Sequence, residues 1–475
     1  MGYNKGADRD QITMLPMCID DFISDENPVR VIDAFVDSLD LGKLGFTKST
    51  PARTGRPAFD PKDLLKLYCY GYRHSIRSSR KLEVETHRNL EVIWLLRNLK
   101  PDHKTIADFR KDNKPALRNA FRQFTLLCKD WRLFDAELVV VDGTKIKASN
   151  SRRANLSPKK LEKQIQYTDE RINEYLAELD NNDVIEVDSP KLTKEEIQKR
   201  LAELRERKEG YQKLQQEMKA QGVTEISRTD PDSRRMSVSN NGVDIAHNVQ
   251  VVVDSKHSLV VDCDVTSDNT DHGHLSSMAQ SAMELLGVDK IEALADKGYY
   301  AAADLVRCEA AKITTYVPKQ KTGNPTGGYT ADEFHYNPEE DIYICPDGQT
   351  LLPGRFRENN TLRDYTNHEA CEQCKLRDKC TTSKKGRTIT RNMAKPLLDK
   401  IEERTKANKD KYRLRQMIVE HPFGTVKRNF GFTHFLTRGN AAVRAETSLA
   451  FLAYNLTRVI NILGVKEILR RLALA

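Results

Sequence analysis

Leu138-Val-Val-Val-Asp-Gly-Thr-Lys-Ile-Lys-Ala148 is the stretch whose reading decides the fold. Its opening apolar run, with three β-branched valines, predicts a buried strand, with Asp142 at its edge and Gly143 turning the backbone. An ionised carboxylate there needs a partner, because burying an unpaired charge costs several kcal/mol. A cation or a metal ion is the natural companion, although a strand-end Asp that merely caps a turn reads the same way. The pattern recurs in Ile291-Glu-Ala-Leu-Ala-Asp-Lys-Gly298, a second short apolar run ending in Asp296. Two strand-end aspartates can share one site.

Working outward, 475 residues predict two to four folded units. No uncharged apolar run of about 18 residues occurs, and Met1-Gly-Tyr-Asn-Lys-Gly lacks the apolar core of a signal peptide, so a soluble, cytoplasmic protein with no membrane segment is expected. The formal net charge is +8, and residues 51–120 alone carry 16 Lys or Arg against 8 Asp or Glu. A basic block of this kind is a footprint for nucleic acid, and a solvated lysine-rich surface has the same composition. Of nine cysteines, Cys18, Cys69, Cys128, Cys263 and Cys308 stand singly in apolar or helical surroundings and read as reduced core residues.

Residues 1–130 read as a helical N-terminal domain that binds DNA. An amphipathic segment, Val29 to Leu41, precedes the basic block that opens at Thr54-Gly-Arg-Pro57. Pro61 suits a first helical turn, and Leu64, Leu67, Tyr68 and Gly71 follow at helical spacing. Ser78 to Glu85 and Asp102 to Asp112 are short charged helices compatible with a helix-turn-helix-like module; a plain helical bundle fits them as well. Asp102 is the candidate cap, with His103, Lys104, Arg110 and Lys111 toward phosphate.

Residues 155–222 form a helical hairpin inserted after the Asp142 strand. Leu161, Ile165, Thr168, Ile172, Tyr175 and Leu179 recur in alternating steps of four and three, and Thr193 to Glu196 is a capping box before Ile197, Leu201, Leu204, Tyr211 and Met218. The connection suits antiparallel packing of the two helices on each other; an intermolecular coiled coil is the alternative. Strands then resume at Asp244 to Asp254 and Leu259 to Thr266, followed by a helix at Leu275 to Leu286, the Asp296 strand, a helix at Tyr299 to Ala310, and a strand from Lys312. Three antiparallel strands, helix, strand, helix, strand is an order that resembles the RNase H-like fold, an α/β mixed-sheet catalytic core spanning 131–475 with its active site at strand ends.

Residues 320–390 read as an inserted, loop-rich, Cys-rich metal-binding subdomain. Cys345, Cys371, Cys374 and Cys380 lie within 36 residues, and the close Cys371–Cys374 pair lets two sulfurs reach one ion. Structural Zn²⁺ is the default for such a set, with an iron–sulfur cluster and then disulfides as alternatives. Arg404 to Arg428 next carries eight Lys or Arg against Asp410 and Glu420. Glu420 reads either as the acid of a surface ion network or, with Asp142 and Asp296, as the third carboxylate of a set able to hold two divalent cations.

DGTKI at Asp142, ADKGY at Asp296 and VEHPFGTVKR at Glu420, with Tyr412, Arg415 and Lys427 nearby, resemble the DDE transposases of bacterial insertion sequences, in the group with a Cys-rich insertion before the last acid. The resemblance covers nearly the whole chain. It implies Asp142, Asp296 and Glu420 as the catalytic triad, holding two Mg²⁺ or Mn²⁺, with Tyr412, Arg415 and Lys427 flanking the Glu; charge and position add Arg428, and Lys104 and Arg110 of the basic block, as DNA-binding residues. It further implies cleavage and strand transfer of terminal inverted repeats into target DNA by a homodimer. A non-joining nuclease of the same fold and a non-catalytic DNA-binding descendant are the competing functions. One departure stands out: four residues separate Arg415 from Glu420, where the commonest pattern has three. Pro422 predicts an interruption of the helix at this point.

Overall fold

The computed structural model describes residues 18–50, 57–150, 154–184, 193–238, 242–319, 328–358 and 361–474. The Thr54–Arg56 opening of the basic block lies outside them, as does most of the link between the hairpin helices. Six helices come first: α1 (Val29–Ser38), α2 (Pro61–Arg73), α3 (Ser79–Arg88), α4 (Leu90–Leu95), α5 (His103–Asp112) and α6 (Lys114–Asp130). Their starts follow local chemistry. Asp60 accepts from the Lys62 N–H with Pro61 in the first turn of α2, and Asp102 accepts from the Thr105 N–H at the start of α5.

β1 (Leu138–Lys147) follows, then β2 (Asn155–Leu156), α7 (Pro158–Val184), α8 (Lys194–Gln221), β3 (Ile226–Ser227), β4 (Arg234–Val238), β5 (Gly242–Asp254), β6 (Val260–Thr266), α9 (Leu275–Leu286), β7 (Ile291–Leu294), α10 (Ala302–Ala310) and β8 (Ile313–Tyr316). The sheet runs β6-β5-β1-β7-β8, with β5 antiparallel to β1 and β6, and β7 and β8 parallel to β1; β4 pairs with the start of β5. This is the RNase H-like mixed sheet. Helices α9 and α10 make the crossovers that parallel strands require.

One expectation fails in an informative way. β1 does not end at Asp142, and Gly143 does not turn the chain: the strand continues to Lys147, with Asp142 opposite Val251 and Lys147 opposite Ala246. The parallel edge is what stops, since β7 pairs only with Leu138 to Val140. Asp142 therefore sits where one neighbour has left the ladder and the other persists.

Between β1 and β5, α7 and α8 fold back on each other. Leu161 packs with Tyr211 and Met218 at the base, and Tyr175 with Ile197 and Leu201 farther out, an antiparallel pairing clipped below by β2 against β3. Thr193 and Glu196 form the reciprocal capping box at the start of α8.

Residues 335–392, read above as loop, form a sheet instead. β9 (His335–Asn337), β10 (Ile342–Ile344), β11 (Thr350–Arg357), β12 (Leu362–Thr366) and β13 (Thr388–Asn392) pair antiparallel in sequence, with two short helices, α11 (His368–Glu372) and α12 (Arg377–Cys380), between the last two strands. Phe334, Tyr343, Leu351, Tyr365 and Ile389 are its private core. The strands are too short for a clear period of two, and a bulge between Pro353 and Phe356 breaks it further.

The chain closes with α13 (Lys395–Ala407), α14 (Lys409–Gly424), α15 (Asn440–Leu463) and α16 (Val465–Leu472). Pro422 lies inside α14 and does not end it; the missing N–H is followed by a π-helical turn, Thr425–Asn429. α15 is buried along most of its length and packs on α2, α6 and β6. Residues of α1, α2 and α6 thus share one continuous core with the β1–β8 sheet, so the boundary read near residue 130 divides the sequence and not the core. Glu446 of α15 is fully buried and accepts from Arg77 and from the Leu436 and Thr437 N–H groups, pinning α15 to the N-terminal helices. Cys69, Cys128, Cys263 and Cys308 are buried thiols as expected, whereas Cys18 is exposed. No single helix among the described residues is long and apolar enough to cross a membrane.

Candidate active site

The site lies where the β1–β7 ladder ends. Asp142 is largely buried on mid-strand β1, its Oδ1 accepting from the Gly143 N–H at 2.8 Å. Asp296, two residues past β7, caps a 3-10 turn by accepting from the Gly298 N–H at 2.7 Å. The two belong to one electrostatic cluster: burial pushes Asp142 up to about 6, Arg415 and the Gly143 N–H oppose that, and the charges of Asp296 and Asp271 add to it.

α14 and the π-helical turn after it supply the cationic wall. Arg415 Nη1 lies 3.0 Å from Asp142 Oδ2, and Lys427 Nζ donates to the Thr144 hydroxyl on the same strand. Burial lowers the Lys427 ammonium, with nearby Asp142 acting against that. Tyr412 is close enough for the charges of Asp296 and Asp142 to raise its phenol, behind the larger effect of burial.

Glu420 takes a different position. Five residues after Arg415, it lies about 140° around the helix from the residue that faces Asp142. Its carboxylate is exposed and accepts from Gln416 Nε2 at 2.6 Å. The acid that stands with Asp142 and Asp296 is Asp271, in the turn between β6 and α9. Its Oδ1 accepts from Lys145 Nζ at 2.8 Å, Asn248 Nδ2 at 2.7 Å and Gln250 Nε2 at 2.8 Å. Burial works against its ionisation, but these hydrogen bonds and Lys145 outweigh it and hold the carboxyl below its ordinary range. Tyr299, fully buried, feels all three aspartates and donates to Gln250 Oε1.

Gly143 now has a reason. A Cβ there would lie 2.6 Å from both Asp271 Oδ1 and Gln250 Nε2, so close approach and not a turn excludes a side chain. The sequence reading passed over Asp271, Lys145, Asn248 and Gln250. The available signal was the pair of amides in Asn248-Val-Gln250-Val-Val-Val, since buried polar residues in a valine-rich strand need partners.

Of the basic residues expected on DNA, Lys104 and Arg428 are exposed. Arg110 differs from expectation: it is half-buried, its guanidinium 5.6 Å from the Tyr68 ring centroid. It also lines, with Lys111, Lys114 and Arg438, a groove between α5, α6 and the start of α15 that has no acid among its lining residues. His103 is committed to Glu83 at 2.8 Å.

Cys345, Cys371, Cys374 and Cys380 line one small cavity of about 30 Å³ beside the β9–β13 sheet. Cys345 Sγ accepts from the Gln349 N–H at 3.3 Å, a bond suited to thiolate sulfur, and the Gly386 backbone approaches so closely that a Cβ would lie 2.5 Å from Cys371 Cβ. The donors suit a soft tetrahedral ion. Among the described residues no group of three or more His, Cys, Asp or Glu is drawn together tightly enough to hold an ion as it stands, here or at Asp142.

A family model described as Transposase domain (DUF772) matches residues 17–112, the N-terminal helices, and one described as Transposase DDE domain matches residues 344–460, which include Arg415, Glu420 and Lys427. The two matches, one near each end of the chain, support a DDE transposase of an insertion sequence. Among solved structures, the transposase is similar to a piggyBac transposase synaptic complex with hairpin DNA, at 8% identity over 94% of this chain and 79% of that one, with a TM-score of 0.31. No curated protein matches it. A DDE transposase family implies divalent metal ions, and the hard carboxylate oxygens of Asp142 and Asp296 fit such ions.

Proposed function

We propose that the transposase cuts insertion-sequence ends and joins them to target DNA at the site built by Asp142 and Asp296, with Glu420 completing the triad. The observation that carries this reading is the meeting of Asp142, Asp296 and Arg415 at the open end of the parallel ladder. Two Mg²⁺ or Mn²⁺ held by these acids would activate a water or a 3′ hydroxyl and stabilise the leaving oxygen. Arg415 and Lys427 neutralise the phosphate at the scissile bond, Tyr412 positions the adjacent backbone, and Arg428 extends the contact outward. Glu420 joins the two aspartates by giving up its hydrogen bond to Gln416 together with a turn of α14 that brings its face toward Asp142.

The DNA ends run along the groove of Lys111, Lys114 and Arg438, on the order of 20 Å from Asp142 along β1, with Lys104 beyond it. With Arg110, the groove's lining holds four cations and no acid, which suits a phosphate backbone better than a protein partner. The four-cysteine pocket holds structural Zn²⁺ and fixes the β9–β13 sheet as a subdomain. Joining two ends calls for a homodimer.

The test is incubation of the protein and its Asp296→Ala variant, with Mg²⁺ or Mn²⁺, on DNA carrying the sequences that flank its gene. Cut and joined products from the wild type alone support the reading; cutting without joining makes it a nuclease; equal cutting by the variant removes Asp296 from the chemistry.

A further inference from the structure

We propose that Asp271 is an acid of the metal-holding set, and that Lys145 serves as its counter-cation in the metal-free protein. The inference rests on the reading of Asp142 and Asp296 as metal-holding residues. Asp271 belongs to neither motif strand, yet the fold sets it between them. A Cβ built on Gly143, next to Asp142, would lie 2.6 Å from Asp271 Oδ1, and one on Gly298, two residues past Asp296, would lie 3.7 Å from Asp271 Oδ2 and 2.9 Å from Asp296 Oδ1. The glycine after each motif aspartate thus presents bare backbone to the same third carboxylate.

Asp271 is held more firmly than a surface acid. Its anchors are Asn248 and Gln250 on β5 and Lys145 on β1, the two strands whose register also places Asp142 opposite Val251. Among the described residues Oδ1 takes three hydrogen bonds, while Oδ2 takes only the Lys145 ammonium at 3.0 Å. Oδ2 accordingly keeps acceptor capacity on the Asp296 side. The cluster's negative charge is met by side-chain cations: Arg415 on Asp142 and Lys145 on Asp271. This explains why the three carboxylates are near one another without closing on a common point, because each is held by its own donor. Ions entering the cluster compete with Lys145 for Asp271.

A purely structural Asp271–Lys145 pair makes the opposite prediction for Lys145. Removing the ammonium would then disorder the site and weaken metal binding, whereas removal of a competing cation strengthens it.

The experiment is Mn²⁺ binding to the DNA-free full chain, followed by electron paramagnetic resonance, for the wild type and for Asp142→Asn, Asp271→Asn and Lys145→Met. Asp142→Asn should abolish the site, Asp271→Asn should weaken it about tenfold or more, and Lys145→Met should tighten it several-fold. Unchanged binding in Asp142→Asn would sink the underlying reading. Lost binding there with unchanged binding in Asp271→Asn would overturn the proposal alone, as would weaker binding in Lys145→Met with native circular dichroism. If Asp271→Asn does not fold, the direction of the Lys145→Met effect still decides.

Discussion

Arg415 and Asp142, 273 positions apart in the chain, form a largely buried ion pair at 3.0 Å that ties α14 to the centre of the mixed sheet. The pair neutralises a carboxylate whose burial opposes ionisation. Breaking it leaves that charge in a desolvated place, so Arg415→Gln should lower metal-free stability at pH 8 by about 1–3 kcal/mol. Added Mg²⁺ should return part of the loss, because an ion can take the guanidinium's place. Denaturant unfolding with and without Mg²⁺ checks both; a variant as stable as wild type in chelator would show that the pair does not stabilise the fold.

Asp142 also sets a pH dependence. Its carboxyl is pushed up to about 6, chiefly by burial, from an ordinary value of 3.8. Between those values the folded chain keeps a proton that the unfolded chain releases. The stability this group contributes is therefore full below about pH 3.8 and is lost as pH rises through 6. Asp142→Asn, neutral throughout, should be more stable than wild type at pH 8 by at most about 3 kcal/mol, with the gain vanishing near pH 4. Chemical denaturation in chelator across that range measures it, and a gain that grows toward acid would contradict the sign.

Four sulfurs around one cavity predict about one zinc ion per chain in the purified protein. Cys374→Ser should lose it, and the β9–β13 sheet should become open to protease while the β1–β8 sheet survives, since the two have separate cores. Metal analysis with limited proteolysis is the check. An iron–sulfur absorption spectrum, or full metal content in the variant, would refute the zinc site.

Lys111 and Lys114 line the basic groove and make no ion pair among the described residues. Replacing both with Gln should reduce the slope of log K against log salt by about 2 for duplex DNA, near 0.9 for each lost phosphate contact. An unchanged slope would mean the DNA runs elsewhere.

Much was legible from local pattern. Valine-rich runs marked β1 and β5, Asp102 and Thr193 announced helix starts, and alternating four-three spacing gave the α7–α8 hairpin, because each depends on interactions within a few residues. The β9–β13 sheet was not legible, since its strands are short and draw stability from cross-strand tyrosines far apart in sequence, such as Tyr343 and Tyr365 at 5.0 Å.

By itself the sequence determined which residues carry charge at the ends of apolar runs, and hence Asp142 and Asp296. The tertiary structure decided which acids and cations meet there. That depends on where β7 stops pairing with β1, on the β1–β5 register that brings Lys145, Asn248 and Gln250 onto Asp271, and on the helical phase that turns Arg415 toward Asp142 and Glu420 toward solvent. The meetings of Lys145 with Asp271 and of Arg415 with Asp142 join residues more than a hundred positions apart, and short-range periodicity contains no information about them.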